Sequence, residues 1–285
     1  MNILVADSGS TKTEWIFSKK SGEQITLHSE GLNPYFKDEL LISDVLREQV
    51  ASKIDDQVDK IYFYGAGCSS PIKQLEVGKA LKNYFKSAEI AVESDLLGAA
   101  IACFGDDPGV ACILGTGSNA CIFDGEKITT KIPSLGFTLG DEGSGGHFGK
   151  QLLRAYFYET MPEDLRSALE SQHNMNLDTI LENVYQKPAP NKFVASFARM
   201  LADYPDHPFI KKIVKEGFSE FIDQQLGYFG DRISKMDIGF VGSIAKIHEQ
   251  TLTAALTEKG FNPPAVIVQK PIEGILAYHL RKNGI

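Results

Sequence analysis

Two stretches of the chain repeat one pattern, and this repeat constrains the fold more than any other feature of the sequence. Each stretch consists of an apolar strand, a turn rich in glycine and hydroxyl residues, and a returning apolar strand; they read ILVADSGSTKTEWIF and ACILGTGSNACIF. Because the two copies lie about a hundred residues apart, the repeat indicates two related lobes. A chain of 285 residues is long enough to form both.

Strands and helices alternate through the rest of the chain, which predicts an α/β fold. Apolar residues recur at helical spacing over 38–54, and residues 95–104 form a predicted helix that is rich in small side chains. The stretch 150–235 is predicted to be mostly helical, and 244–259 and 272–282 are the last predicted helices.

The repeat also predicts where the lobes begin and end. We expect a first lobe over 1–108 and a second over 109–270, with the helix of 271–285 packing back on the first lobe. Trp15 lies on a predicted strand and is expected to belong to the core, wholly or in part.

Charge and composition exclude several classes of partner. The net charge of -8 and the lack of a concentrated basic patch argue against nucleic acid or an anionic membrane surface. The N-terminal residues lack the pattern of a signal peptide, and no stretch is apolar for long enough to span a membrane. The four cysteines form no CxxC pair, so we expect reduced thiols and a cytoplasmic location. The sequence leaves the oligomeric state open, a homodimer included.

The first polar turn, Asp7 to Thr13, has the composition of a phosphate-binding loop. Backbone N–H groups and hydroxyls of a tight glycine turn can surround a phosphate, and Lys12 adds positive charge. Asp7 ends a predicted buried strand, where a carboxylate is costly unless something binds it. Mg²⁺, through water, is the natural candidate. On this stretch alone, an ordinary structural turn is the more common interpretation.

Two further turns strengthen the phosphate hypothesis. Gly115-Thr116-Gly117-Ser118-Asn119 occupies the equivalent place in the second repeat, so two such turns can hold a triphosphate from both sides. The stretch 239–243, which ends in Gly242-Ser243, lies where a strand meets a helix and allows close approach of a ligand. It matches neither the P-loop nor the dinucleotide-binding fingerprint.

Asp95 lies between an apolar strand and the helix of small residues, and its side chain should project from that junction. A carboxylate there can accept the proton of a hydroxyl during phosphoryl transfer. The simpler alternative is that Ser94 and Asp95 only cap the helix.

The stretch 136–149 contains six glycines, and we expect it to form no regular element. Its polar groups are numerous enough to bind a polyol; Asp141 is the favoured acceptor of a sugar hydroxyl, and Glu142 is expected behind it or near Mg²⁺. His147 receives no role. A mobile or connecting loop is the alternative interpretation of this stretch.

The motifs in this order resemble the BadF/BadG-type ATPases, and within them the N-acetylglucosamine kinase branch of the superfamily of actin, hexokinase and the heat-shock chaperones. The motifs are DSGSTKT, Ser94-Asp95, LGTGSN, GDEGSGG and VGS, and they span essentially the whole chain. The resemblance implies a two-lobed actin-like, ribonuclease H-like α/β fold, with ATP, Mg²⁺ and an amino sugar held in an interlobe cleft. It also implies a kinase that phosphorylates the sugar.

The resemblance implies a role for each matching position. Asp95 is similar to the catalytic base of these kinases. The implied ATP contacts are Ser10, Thr11, Lys12, Gly115, Thr116, Gly117, Gly242 and Ser243, with Asp7 near the metal. The implied sugar contacts are Asn33, Asp95, Ser118, Asn119, Gly136 and Asp141. Leu135 stands where related mammalian kinases have tryptophan, which leaves the particular sugar open.

Two other functions fit the same resemblance. One is the ATP-driven activator of a radical dehydratase, which needs exposed cysteines for a shared iron–sulfur cluster. The positions of Cys103, Cys112 and Cys121, within or beside predicted strands and helices, disfavour it. The other is a non-catalytic sensor of ATP or sugar; the presence of Asp95 favours catalysis.

Overall fold

The computed structural model describes residues 1–285 as two compact units. The first unit comprises Met1–Asp107, Phe123–Ile128 and Lys270–Ile285, and the second comprises Pro108–Ile122 and Thr129–Gln269. In chain order, the strands and helices are β1 (Ile3–Ser8), β2 (Lys12–Ser18), β3 (Gln24–Glu30), α1 (Glu39–Gln49), β4 (Lys60–Gly65), α2 (Pro71–Tyr84), β5 (Glu89–Ser94), α3 (Asp95–Phe104), β6 (Gly109–Leu114), β7 (Ser118–Phe123), β8 (Ile128–Lys131), α4 (Gly136–Leu139), α5 (Gly145–Phe157), α6 (Glu163–Gln172), α7 (Leu177–Tyr185), α8 (Pro190–Ser196), α9 (Arg199–Asp203), α10 (Pro208–Phe221), β9 (Ile238–Val241), α11 (Ser243–Ile247), α12 (Glu249–Glu258), β10 (Val266–Val268) and α13 (Pro271–Lys282).

The two sheets have the same topology. The first has the strand order β3-β2-β1-β4-β5 and the second the order β10-β9-β6-β7-β8. In the first, β1 pairs antiparallel with β2 and parallel with β4. In the second, β6 pairs parallel with β9, which corresponds to the β1–β4 pairing. The strand–turn–strand repeat and the α/β class predicted from the sequence are therefore confirmed.

Each sheet has its own hydrophobic core. In the first, fully buried aromatic side chains from β2 and β4 include Trp15, Phe17 and Phe63, in contact with apolar residues of α1 and α2. The indole N–H of Trp15 donates to Ser29 Oγ at 2.9 Å, so its one polar atom is satisfied. In the second, Phe148 and Phe218 meet edge to face between α5 and α10. These cores hold the strand ends that carry the polar turns.

The last helix, α13, packs against α3 and β1 of the first unit. Tyr64 Oη and His279 Nε2 lie 2.8 Å apart, and the ring of His279 stacks on Tyr62. The Arg281 guanidinium also bonds the carboxylate of Asp106 at 2.6 Å.

Three predicted elements differ in the structure. The stretch 136–149 is largely helical, because α4 and the start of α5 occupy it. Its glycines allow helix packing: a Cβ at Gly149 would collide with the carbonyl of Val194 in α8. The helix predicted over 38–54 ends at Gln49 and is followed by one 3₁₀ turn, Ala51–Lys53. The helix predicted over 244–259 is broken at His248, which leaves helical geometry.

No helix is both long and apolar enough to cross a lipid bilayer. None of the four cysteines forms a disulfide bond; Cys68, Cys112 and Cys121 are buried and Cys103 is partly buried.

Candidate functional site

The turn between β1 and β2 is fixed by hydrogen bonds within the first unit. The hydroxyls of Ser8 and Thr13 lie 2.7 Å apart across its base, and Ser8 Oγ accepts the N–H of Leu32 at 3.1 Å. Gly31 lies directly against the turn, since a Cβ there would collide with the backbone of Gly9 and Ser10. The loop after β3 therefore supports the turn and holds it in one conformation.

Asn33 links this loop to the turn. Its Nδ2 donates to Ser10 Oγ at 2.9 Å, and its Oδ1 accepts the N–H of Tyr35 at 2.9 Å. Gly67 approaches the same amide closely and has a left-handed backbone, with φ +82°. The structure thus brings together Ser10 and Asn33, two of the predicted site residues.

Asp7 lies at the end of β1 in an electrostatically unfavourable place. Burial, together with the charges of Asp95 and Glu14, raises the pKa of Asp7 to about 7, although Lys12 opposes the shift. No protein group donates a hydrogen bond to its carboxylate. Such a carboxylate is stabilised by a cation.

Asp95 is the first residue of α3, at the carboxyl end of β5. Ser94 caps the helix by accepting the N–H of Leu97 at 3.3 Å, and Asp95 Oδ1 accepts the N–H of Leu96 at 2.9 Å. Gly98 packs closely against Tyr64, since a Cβ added at Gly98 would lie 2.9 Å from the Cβ of Tyr64. Capping accounts for Ser94, while Asp95 is partly exposed and its charge acts on Asp7.

No group of three or more His, Cys, Asp or Glu side chains is arranged so that it could hold a metal ion by itself. Mg²⁺ does not require such a cluster, because it binds proteins through one or two carboxylates together with water and phosphate oxygens.

The second glycine turn lies in the second unit, between β6 and β7. Gly115 N donates to Gly117 O at 3.0 Å and so closes the turn. The first amides of α5 bind carbonyl oxygens of this turn: Gly145 N donates to Gly115 O and Gly146 N donates to Thr116 O. The turn is therefore held at the start of a helix.

Asp141 is held against this turn. It has a left-handed backbone with φ +62°, and its Oδ1 accepts the N–H of Ser118 at 3.2 Å. A Cβ at Gly117 would lie 2.8 Å from Asp141 Oδ2, so only glycine allows this approach. Burial raises the pKa of Asp141, and the Ser118 hydrogen bond opposes the shift.

Gly242 brings the third turn to the same place. It has φ +123°, and a Cβ there would collide with Leu114 O and lie 3.2 Å from Gly115 N. Ser243, the next residue, begins α11. The turns containing Gly115 and Gly242 are thus in direct contact within the second unit.

Two predicted site residues of the second unit, Asn119 and Gly136, make fewer contacts with the other predicted site residues. Asn119 Oδ1 accepts the N–H of Ala120 at 2.9 Å, and no hydrogen bond joins it to Asp141. Gly136 begins α4 with φ +70° and has open space around it. The adjacent Leu135 is 60% exposed.

Sequence reasoning missed Gln225. Its Nε2 donates to both Ser118 Oγ and Glu142 Oε2, each at 2.9 Å. Gln225 lies in a short π-helical segment, Ile222–Leu226, that continues α10. No motif surrounds it in the sequence, and it lies more than a hundred positions from Ser118, so only the fold shows this contact.

Comparisons with known proteins agree with this architecture. A model of the BadF/BadG/BcrA/BcrD ATPase family matches residues 6–275. The crystal structure of a candidate N-acetylglucosamine kinase from Porphyromonas gingivalis superposes with a TM-score of 0.91 at 35% identity, covering 99% of this chain and 100% of that one.

More distant structures share the fold. A candidate N-acetylglucosamine kinase from Chromobacterium violaceum has a TM-score of 0.72 at 13% identity, covering 97% of this chain and 98% of that one. A candidate N-acetylmannosamine kinase from Listeria monocytogenes has a TM-score of 0.56 at 15% identity, covering 99% and 100%. No curated protein sequence matches the chain significantly.

Proposed function

Because the chain belongs to the BadF/BadG/BcrA/BcrD ATPase family, we propose that it is an ATP-dependent kinase that phosphorylates an amino sugar, with N-acetylglucosamine 6-phosphate as the product. The observation that carries the proposal is the 35% identity, over 99% of the chain, to the Porphyromonas gingivalis protein. The arrangement of carboxylates and glycine turns described above supplies the chemistry.

ATP is proposed to bind through the three turns. In the first unit Ser10, Thr11 and Lys12 offer hydroxyls, amides and one positive charge to phosphate oxygens. In the second unit the contribution comes from a larger set: Gly115, Thr116, Gly117, Gly242 and Ser243. Contact between the Gly115 and Gly242 turns supports a single nucleotide site in that unit, and the open space at the Cβ position of Gly115 leaves room for a ligand.

Asp7 is proposed to face the magnesium ion that accompanies ATP. Its raised pKa means that the carboxylate is poorly stabilised by the protein alone. A divalent cation nearby would return the carboxylate to its ionised form. When bound, the ion supplies neutralisation of phosphate charge.

Asp95 is proposed as the general base. It accepts the proton of the sugar hydroxyl while that oxygen attacks the γ-phosphorus, and the bond to the ADP oxygen breaks. Asp95 lies at the N-terminus of α3, where the helix dipole favours negative charge, and its Oδ1 accepts the N–H of Leu96. General base catalysis of this kind contributes on the order of 10²- to 10⁴-fold to the rate.

The sugar is proposed to contact Asn33 and Asp95 of the first unit and Ser118, Asn119, Gly136 and Asp141 of the second. Asp141 is an acceptor held in place by Ser118 N, and this suits it to a sugar hydroxyl. Asn33 already uses Nδ2 and Oδ1 within the protein, so a sugar would share those hydrogen bonds.

The dehydratase-activator alternative gains no support from the cysteines. Three of the four are buried, and burial raises the pKa of both Cys68 and Cys103 to about 12, which disfavours the thiolate that a cluster needs.

A coupled assay of ADP release tests the proposal. The purified protein is given Mg²⁺-ATP and, in turn, glucose, glucosamine, N-acetylglucosamine, N-acetylmannosamine and N-acetylmuramic acid. Sugar-dependent turnover that is highest with N-acetylglucosamine is expected. ADP release that no sugar accelerates would contradict the proposal.

A further inference from the structure

Gln225 occupies a position that neither the motifs nor the proposed roles explain. It is 5% exposed, and its amide lies between the hydroxyl of Ser118 and the carboxylate of Glu142. We infer that Gln225 is a positioning residue, which turns the Ser118 hydroxyl so that its proton is donated to an acceptor oxygen of the sugar. The inference rests on the proposed function, because it takes the ligand beside Ser118 to be the sugar.

Glu142 determines the orientation of the Gln225 amide. An ionised carboxylate only accepts hydrogen bonds, so the group that faces Glu142 Oε2 must be the NH₂ of Gln225. The network therefore fixes which end of the amide points toward Glu142.

The Gln225 amide in turn determines where the Ser118 hydroxyl proton points. The same NH₂ nitrogen lies 2.9 Å from Ser118 Oγ, and an amide nitrogen does not accept hydrogen bonds. Ser118 Oγ must therefore accept from Gln225, and its own proton must point elsewhere. No other protein group bonds this hydroxyl, so the proton is available for a ligand.

The arrangement costs stability. Gln225 Oε1 is buried and has no hydrogen-bond partner in the protein. Leaving a buried acceptor unpaired carries a desolvation penalty. The π-helical turn that presents Gln225 is also a geometry that is frequent at functional sites. Both observations are consistent with a functional role for Gln225, namely the orientation of the Ser118 hydroxyl.

The resulting site has complementary polarity. Beside the turn, the Asp141 carboxyl offers acceptor oxygens, and the Ser118 hydroxyl, held by Gln225, offers a donor. A sugar edge that carries a hydroxyl next to an acceptor oxygen matches this pair. A ligand that lacks the acceptor would leave the Ser118 proton unpaired, which lowers affinity.

The test is a double-mutant cycle on Gln225 and Ser118. Gln225→Met keeps the length of the side chain but removes the donor, and Ser118→Ala removes the hydroxyl. KM for N-acetylglucosamine, KM for ATP and kcat are measured for each variant and for the double variant. Gln224→Met is the matched control, because Gln224 is the exposed neighbour in the same π-helical turn.

We expect each single variant to raise the sugar KM about 10-fold, the effect of losing about 1.4 kcal/mol of hydrogen bonding, with the ATP KM unchanged. The double variant should resemble the single variants, because Gln225 acts through Ser118. Three results would each overturn the inference. They are a sugar KM of the double variant that equals the product of the two single effects, a wild-type sugar KM in Gln225→Met, and a change confined to the ATP KM.

A second variant guards against a folding defect. Gln225→Leu removes both polar ends of the amide and so leaves the Ser118 hydroxyl without its donor; the sugar KM should rise about as much as in Gln225→Met. Circular dichroism and thermal unfolding verify the fold of each variant. A wild-type protein that phosphorylates no sugar would refute the proposed function, whereas an active wild type with an unaffected Gln225→Leu variant would refute only the role of Gln225.

Discussion

Replacing Asp7 with asparagine should change how the stability of the protein depends on pH. The unfolded chain releases the Asp7 proton near its ordinary pKa of 3.8, whereas in the folded protein burial raises that pKa to about 7. Between these values the folded state holds more protons than the unfolded state. The free energy of unfolding of the wild type therefore falls as pH rises from about 4 to about 7.

The magnitude follows from the two pKa values. At 1.36 kcal/mol per pKa unit, a rise from 3.8 to about 7 corresponds to at most about 4 kcal/mol above neutral pH. Asp7 keeps some contact with water, so we expect about 2 kcal/mol. The asparagine side chain of Asp7→Asn cannot ionise, so this variant does not lose stability as pH rises. Its free energy of unfolding relative to the wild type should therefore increase by about 2 kcal/mol between about pH 4.5 and about pH 8.

Urea unfolding at several pH values measures the difference directly. Asp55→Asn, at an exposed position, is the matched control, and its difference from the wild type should stay constant. If the difference between Asp7→Asn and the wild type is also constant with pH, or decreases as pH rises, then Asp7 is not a poorly stabilised carboxylate and the reasoning that places a cation beside it is refuted.

Two other predictions concern stability and the site. Gly67→Ala should cost more stability, and raise the sugar KM more, than Gly22→Ala: both glycines have positive φ, but only at Gly67 would a Cβ collide with Asn33. Equal effects of these two variants on urea unfolding and on KM would refute a role for the Gly67–Asn33 contact. Burial lowers the pKa of His279 to about 4, so the wild type should lose at most about 3 kcal/mol of stability as pH falls from about 6.5 to about 4. His279→Phe should lack this loss in urea unfolding, and an unchanged slope would contradict the assignment.

Local patterns predicted those parts of the fold that depend on local physics. The helix over 95–104 is found at Asp95–Phe104, because a serine cap followed by small apolar residues specifies both its start and its buried face. The polar turns after β1 and β6 follow similarly from apolar strands interrupted by glycine and hydroxyl residues.

The parts that sequence reasoning missed depend on distant neighbours. Glycines normally disfavour a helix, yet Gly145, Gly146 and Gly149 lie in α5. A Cβ at Gly149 would collide with the backbone of another helix, and a Cβ at Gly145 or Gly146 would be in tight contact with a carbonyl of the second glycine turn. Gln225 is similarly invisible in sequence, since its partners Ser118 and Glu142 are brought to it only by the packed second unit. Periodicity carries no information about such contacts.

Identification of the reaction product tests the central claim most directly. Phosphorus NMR and mass spectrometry of a reaction of Mg²⁺-ATP with N-acetylglucosamine should show one phosphate, on the C6 oxygen, with wild-type protein. Asp95→Asn should form this product at least about 100-fold more slowly while its ATP affinity and unfolding remain close to the wild type. No phosphorylated sugar from the wild type, or formation by Asp95→Asn at a rate within a few-fold of the wild type, would contradict the account.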